Sequence, residues 1–311
     1  MVKFSLILAT KARTDEVLRL FEGFREQTFQ DFEIIVSDQN ADDRVVKILQ
    51  DIAWQGKITH IRSDGGLSAA RNAGLALAQG EIIGFPDDDC RYPPTLLQDV
   101  SEFFSTHPEY GYLSGRSVSD DGGDAASRHA KTAGPVERFT IYRQCIEFAL
   151  FVRRSAIGET RFDENMGVGA RSPWQSDEGP DFLLNLEAKG IRGYYDPSFA
   201  VWHPKVEALY NEALISRNYK YACGSGYFLR KHQYPFWFFA KLNLRTLAGA
   251  LASLLTIQPT KARFYFARLK GRWRGWTGWT GEASVAGVSP ELRPNVQSRP
   301  IFPKGISGNA R

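Results

Sequence analysis

Short apolar runs alternate with helical segments throughout residues 4–85, and no other feature constrains the fold as much. Residues 4–8, 32–36, 58–61 and 82–85 are apolar and too short for helices, so they read as strands. Between the first two, Val17, Leu18, Leu20, Phe21 and Phe24 recur at helical spacing. Thr14 stands as N-cap there, and Asp15 and Glu16 favour the positive end of the helix dipole. A second helix from about Asp42 places Val45, Val46, Leu49 and Ile52 on one face. A third runs from a Ser68 cap to Gln79, with Gly80 as its C-terminal glycine. Strand–helix alternation of this kind specifies an α/β fold with a doubly wound, mainly parallel sheet flanked by helices. Ligands of such sheets bind beyond the carboxyl ends of the strands. Thr10, Arg13, Asp38, Arg71 and the run Asp87-Asp88-Asp89 all follow strands, directly or across one loop.

The acidic run carries the most chemistry. Three adjacent carboxylates repel one another unless a cation offsets them, and oxygen ligands suit hard divalent ions such as Mg²⁺ or Mn²⁺. The structural alternative is a solvated acidic turn ahead of the helix that follows Pro93-Pro94.

The second half is less regular. Residues 96–104 continue as a helix, 110–115 and 147–153 as strands, and 117–134 as a mobile loop rich in Ser, Asp, Gly and Ala. Phe182, Leu183 and Leu186 form the inner face of a helix that stops at Gly190. From about Lys205 the character changes to aromatic residues interleaved with Arg and Lys. Cationic and aromatic residues in this mixture suit an interfacial helix on an anionic bilayer. Lys241, Asn243 and Arg245 interrupt the apolar stretch 236–257, which argues for contact with a membrane surface rather than a crossing of it. The expected organisation is an α/β domain over 1–204 (two halves meeting at about 115), a helical region over 205–280 and a disordered tail over 281–311.

Composition excludes little. Hydrophobic content of 43%, charged content of 24% and a net charge of +4 are those of a globular protein. Cys90, Cys145 and Cys223 show neither metal-type spacing nor a disulfide framework, which fits a reducing compartment. Met1-Val2-Lys3 leads into a run too short for a secretory signal, so none is expected. No nucleic-acid-binding motif is present. A dinucleotide-dependent oxidoreductase would carry Gly-x-Gly-x-x-Gly after the first strand, whereas Ala9-Thr10-Lys11-Ala12-Arg13 has no glycine.

Ser5-Leu6-Ile7-Leu8-Ala9-Thr10 with Arg13, Ile34-Ile35-Val36-Ser37-Asp38, Gly66-Leu67-Ser68-Ala69-Ala70-Arg71-Asn72-Ala73-Gly74, Gly80-Glu81-Ile82-Ile83-Gly84-Phe85 and Asp87-Asp88-Asp89 fall in order. This ordered set resembles the family 2 glycosyltransferases, enzymes of the GT-A fold, and in particular bacterial members that build exopolysaccharide or lipopolysaccharide. The resemblance implies transfer of a sugar, with inversion, from a nucleotide-sugar donor (UDP-sugar favoured) to a hydroxyl of a glycan or lipid-linked acceptor. It implies an Mn²⁺ or Mg²⁺ cofactor and a cytoplasmic location, peripheral at the inner face of the membrane.

By the same resemblance, Thr10 and Arg13 line the nucleoside pocket, and Asp38 accepts from the nucleobase imide. Arg71 reaches the donor diphosphate or sugar. Asp87 and Asp89 are the ends of the Asp-x-Asp motif, with Asp88 between them. Asp89 would ligate the metal, Asp87 would support the sugar or ribose and share the metal, and His203 would complete the metal or diphosphate contacts. The chain departs from the family at Ala9, where Pro is frequent, and at Ser37, where an acid is frequent. The base motif departs most. In Asp177-Glu178-Gly179-Pro180-Asp181, the register that matches Asp181 to the later acid puts Gly179 where the usual base stands. Glu178 is then the nearest replacement, with Asp181 and Asp177 as alternatives. These acids could instead only cap the following helix. A binding module that has lost its base is the remaining alternative.

Overall fold

The computed structural model describes residues 2–52, 54–205, 209–280 and 299–300. The first half alternates as expected: β1 (Phe4–Thr10), α1 (Asp15–Arg25), β2 (Phe32–Asp38), α2 (Arg44–Asp51), β3 (Lys57–Arg62), α3 (Leu67–Leu75) and β4 (Ile82–Gly84). β1 lies between β2 and β4 and is parallel to both, while β2 is parallel to β3. Side chains alternate across the sheet with the strand period of two. Phe4, Leu6, Leu8, Ile34, Val36 and Ile82 face one core, and Ile7, Ile35, Ile61 and Ile83 face the other.

The chain continues through α4 (Leu96–Thr106), β5 (Tyr112–Val118), β6 (Gly134–Pro135), α5 (Ile141–Gln144), a 3-10 turn (Glu147–Ala149), β7 (Leu150–Arg153), α6 (Arg154–Ile157), α7 (Glu178–Glu187) and β8 (Gly193–Trp202). β7 runs antiparallel to β4 and β5, and β5 runs parallel to β8. Helices α8 (Glu212–Lys231), α9 (Phe236–Leu255) and α10 (Pro259–Gly278) follow. A short β9 (Arg299–Pro300) pairs with β3 and completes the sheet order β6-β8-β5-β7-β4-β1-β2-β3-β9. The tail expected over 281–311 otherwise lies outside the described residues.

Several local expectations change. Thr14 precedes α1 but makes no side-chain cap, and Leu18 points to solvent. The N-cap of α3 is Gly66, at φ +96°, and not Ser68; Ser68 is the second residue of the helix and donates to the Met166 carbonyl at 2.7 Å. α3 ends at Leu75, and Gly80 is no helix cap. A Cβ there would run into the backbone of Phe4 and Ser5, and its N–H donates to Ser5 Oγ. The expected strand 147–153 begins only at Leu150, because Glu147 starts the 3-10 turn. The loop 117–134 is anchored at buried His129, which accepts at Nε2 from the Ser117 N–H at 3.1 Å.

The three C-terminal helices are joined to the sheet. Phe228, Leu229, Tyr234, Phe238 and Phe239 belong to the same core as Ile83 and Phe182. α8 and α10 cross at glycines: side chains on Gly226, Gly271 or Gly275 would strike backbone carbonyls of the facing helix. α9 has its polarity reversed. Asn243, Thr246, Ala250 and Ser253 face inward, and Asn243 and Thr246 accept from the buried Arg272 guanidinium. Leu244, Leu247, Leu251 and Leu254 form the exposed stripe, with Lys241 and Arg245 exposed beside it.

Candidate active site

The parallel sheet brings its strand ends to one edge. Thr10 is in register with Asp38, and Ala9 makes an isolated bridge to Asp87. There Thr10 Oγ1 donates to Asp88 Oδ2 at 2.7 Å, and the Arg13 guanidinium lies 3.2 Å from Asp89 and 3.9 Å from Asp88. Burial pushes both Asp87 and Asp88 up to about 6; Arg71 opposes the rise at Asp87, and the Thr10 hydrogen bond opposes it at Asp88. His203, just beyond β8, holds Asp89 below the usual carboxylate range.

Asp87, Asp89 and His203 each present a ligand atom, all within 4.8 Å of one another. Nδ1 of His203 is 2.8 Å from the Pro204 carbonyl, which can only accept, so Nδ1 carries the hydrogen. In the neutral ring the Nε2 lone pair then faces Asp89 Oδ1 at 3.2 Å. Two lone pairs at that distance require a proton or a metal cation between them. Two carboxylates and one imidazole fit Mn²⁺ or Mg²⁺, the imidazole favouring Mn²⁺. Phe148 stacks on the His203 ring at 4.9 Å and fixes its plane.

Arg71 projects from α3 to the same place and is only 2% exposed. Its guanidinium lies 3.6 Å from Asp87 and 3.8 Å from Glu178, and over the Phe162 ring. Nη1 is buried without a hydrogen-bond partner. Such an orphan costs about 1–3 kcal/mol, and an anionic oxygen would relieve it.

The structure places the remaining sequence candidates differently from one another. Asp38 reaches the edge but is fully buried. Oδ1 accepts from the Asn40 backbone and side chain at 2.8 Å, and Oδ2 meets His60 at 3.0 Å and Arg62 at 2.7 Å. Against desolvation, His60, Asn40 and Arg62 hold its carboxyl low. A nucleobase would have to displace one of these donors. Asp181 is likewise sealed, with Lys231 at 2.8 Å, His232 at 2.7 Å and Asn185 at 3.1 Å. Glu178, the first residue of α7, is 5% exposed; burial and then the Glu147 charge push it up to about 7, against Arg71. Asp177 occupies the N-cap position of α7 in the left-handed region at φ +65° without a side-chain cap, and is also pushed up to about 7, by burial first and then by Glu147.

Sequence reasoning missed Glu147, Phe148, Lys231 and His232. Glu147 alone had a local signal, as the single acid in the apolar run Cys145-Ile146-Glu147-Phe148-Ala149-Leu150.

The sequence matches the family model described as "Glycosyl transferase family 2" over residues 5–160. An uncharacterised glycosyltransferase of Nostoc sp. is 30% identical over 137 residues, 43% of this chain and 42% of that protein. A GalNAc(5)-diNAcBac-PP-undecaprenol beta-1,3-glucosyltransferase of Campylobacter jejuni is 32% identical over 113 residues, 34% of this chain and 37% of that protein. The match thus spans about two-fifths of either relative's length. Among solved structures, the mannosyltransferase PcManGT from Pyrobaculum calidifontis, in complex with GDP-Man and Mn²⁺, shares the fold at a TM-score of 0.56. It is 14% identical, with 88% of this chain and 87% of that chain covered. The family model alone spans half of the sequence and takes in both Arg71 and the acidic run, so the chain belongs to glycosyl transferase family 2.

Proposed function

We propose that this protein is an inverting, metal-dependent glycosyltransferase that moves a sugar from a nucleotide-sugar donor to a hydroxyl of a glycan or lipid-linked acceptor. One observation carries the reading: the Asp87, Asp89 and His203 ligand atoms converge within 4.8 Å beside a buried Arg71 nitrogen that makes no hydrogen bond. That pairing suits a diphosphate with its cation. Asp87, Asp89 and His203 would hold Mn²⁺ or Mg²⁺, which when bound offsets charge on the departing diphosphate. Arg71 stabilises the same charge from the buried side. Thr10 and Arg13 set the orientation of Asp88 and Asp89. A carboxylate beside the head of α7 takes the acceptor proton. Transfer in one displacement, without a covalent enzyme intermediate, inverts the anomeric carbon.

A lipid-linked acceptor is supported by the name of the Campylobacter jejuni relative, which places its substrate on undecaprenol diphosphate. It is supported independently by α9, among the described residues the one helix with the length and composition to cross a membrane. Asn243, Thr246 and Ser253 face the protein and Leu244, Leu247, Leu251 and Leu254 face out, with Lys241 and Arg245 beside them. That arrangement suits peripheral docking on an anionic bilayer at the cytoplasmic face.

The test is a donor screen with UDP- and GDP-sugars, with Mn²⁺, Mg²⁺ or EDTA, on undecaprenyl-diphosphate-linked saccharides in vesicles. Metal-dependent transfer from one donor class is expected. If no nucleotide sugar binds and no metal dependence is seen, the reading is wrong.

A further inference from the structure

The 3-10 turn at Glu147–Ala149 serves the site twice. Phe148 supports the ring of His203. Glu147 extends the other way and lies against Gly179, the second residue of α7. A Cβ built on Gly179 would fall onto the Glu147 side chain, with Oε1, Cδ and Cγ as its three nearest atoms. The volume that a side chain at 179 would fill is therefore taken by a carboxylate from another element.

The surroundings of that carboxylate set it apart from its neighbours. Glu147 is half-buried, and among the described residues it accepts no hydrogen bond and makes no ion pair. Its contact with Gly179 puts it at the head of α7, next to Glu178, whose carboxylate lies 3.8 Å from Arg71, while Phe148, the following residue, stacks on His203. Asp181 is occupied by Lys231 and His232. Asp177 accepts from the Tyr142 hydroxyl at 3.4 Å. Glu178 is packed under Gly167 and turned toward Arg71. Among the described carboxylates at the head of α7, Glu147 alone is free of hydrogen bonds and ion pairs.

On the transferase reading above, we propose that Glu147 is the general base, acting from the space that residue 179 leaves free. The acceptor O–H bond breaks as its oxygen bonds to the anomeric carbon, and the proton passes to a Glu147 carboxylate oxygen. The bond from the anomeric carbon to the diphosphate oxygen breaks, and its electron pair leaves on the nucleoside diphosphate. Glu147 returns the proton to water after product release. Glu178 is left as a positioning residue that keeps Arg71 at the diphosphate.

The reciprocal packing of Glu147 and Gly179 supplies the test. Full-length wild type is compared with Glu147→Gln, Glu147→Ala, Glu178→Gln and the double variant Glu147→Ala/Gly179→Asp. Transfer is measured from UDP- and GDP-sugars to undecaprenyl-diphosphate-linked saccharides, alongside calorimetric titration with UDP and GDP, each with Mn²⁺, and thermal unfolding. Glu147→Gln is expected to lower kcat by about 10²–10⁴-fold, with UDP affinity within about twofold of wild type and unchanged unfolding. The double variant is expected to recover at least about tenfold over Glu147→Ala, because the introduced aspartate then has room and puts a carboxylate back in the same space. Glu147→Gln turnover within about threefold of wild type overturns the assignment, as does full loss confined to Glu178→Gln. If wild type binds neither UDP nor GDP and transfers from no UDP- or GDP-sugar, the transferase reading fails before Glu147 is at issue. Wild-type transfer with an active Glu147→Gln removes the Glu147 assignment alone.

Discussion

Replacing Asp181 with Asn separates a structural carboxylate from a catalytic one. The sequence offers Asp181 as a base, but the fold surrounds it with Lys231 at 2.8 Å and His232 at 2.7 Å, and leaves it no exposed surface. Breaking a buried ion pair from one side costs about 3–5 kcal/mol. Asn keeps the shape and one acceptor, and Lys231 keeps Asp163 at 2.7 Å, so the low end, about 3 kcal/mol, applies. With an unfolding entropy of about 2.1 cal/mol/K per residue over 311 residues, that is a fall in Tm of about 5 °C. The pH dependence has a definite sign. Asp181 sits below its ordinary value in the folded state, so its contribution is present above about pH 3.9 and is lost as pH falls through the lower folded value. Lys231 sits above its ordinary value, so its share is present below about pH 10.4 and is lost as pH rises through the folded value. The gap between wild type and Asp181→Asn should therefore be widest between those limits and close towards acid. Differential scanning fluorimetry across pH reads this gap, with kcat measured well below the variant's Tm. An unchanged Tm with turnover reduced about 100-fold would refute the anchoring role and return Asp181 to the chemistry.

Three further outcomes follow from particular contacts. Arg71→Met removes the buried guanidinium and should weaken UDP binding by about 10–100-fold, the worth of one charge-assisted hydrogen bond; calorimetric affinity equal to wild type would count against a diphosphate site. Leu247→Glu with Leu251→Glu alters only the outward stripe of α9. Each leucine contributes about 1.5–3 kcal/mol when buried, so co-sedimentation with anionic vesicles should be lost at unchanged Tm; retained binding would show that this face does not dock. Burial pushes His129 down to about 4, and protonating Nε2 would set a new N–H against the Ser117 N–H it now accepts from. Its ring is neutral in the fold but protonated in the unfolded chain between about pH 6.5 and 4. Stability is therefore whole above about pH 6.5 and falls by about 3 kcal/mol on acidification through that window; His129→Gln should flatten this part of the acid-unfolding curve, and an unaltered curve would locate the acid sensitivity elsewhere.

Glu147 and Asp181 show where legibility stopped. The helix face that carries Phe182, Leu183 and Leu186 is readable from spacing, and so is the acid-rich head of that helix. The division of labour among those acids is not. Lys231 and His232 reach Asp181 from α8, 50 and 51 positions along the chain. Glu147 reaches Gly179 across 32 positions, through a turn that reads locally as strand. Asp38 shows the same limit nearer the N-terminus: its place at the strand end follows from alternation, whereas its enclosure by His60 and Arg62 follows from pairing with β3. The C-terminal helices could be expected from apolar length and cationic aromatics. The reversal of α9 could not, because it depends on Arg272 of α10 drawing Asn243 and Thr246 inward.

By itself, the sequence determined the doubly wound sheet and the edge where Thr10, Asp38, Arg71 and Asp87-Asp88-Asp89 gather. Strand and helix periodicities are local, and a parallel sheet aligns its carboxyl ends whatever else surrounds it. The tertiary structure decided what each charge at that edge is free to do. A carboxylate's chemistry depends on its donors and its exposure, and here those come from distant segments: Asp181 was sealed, Asp89 was set against His203, and Glu147 was left open over a glycine.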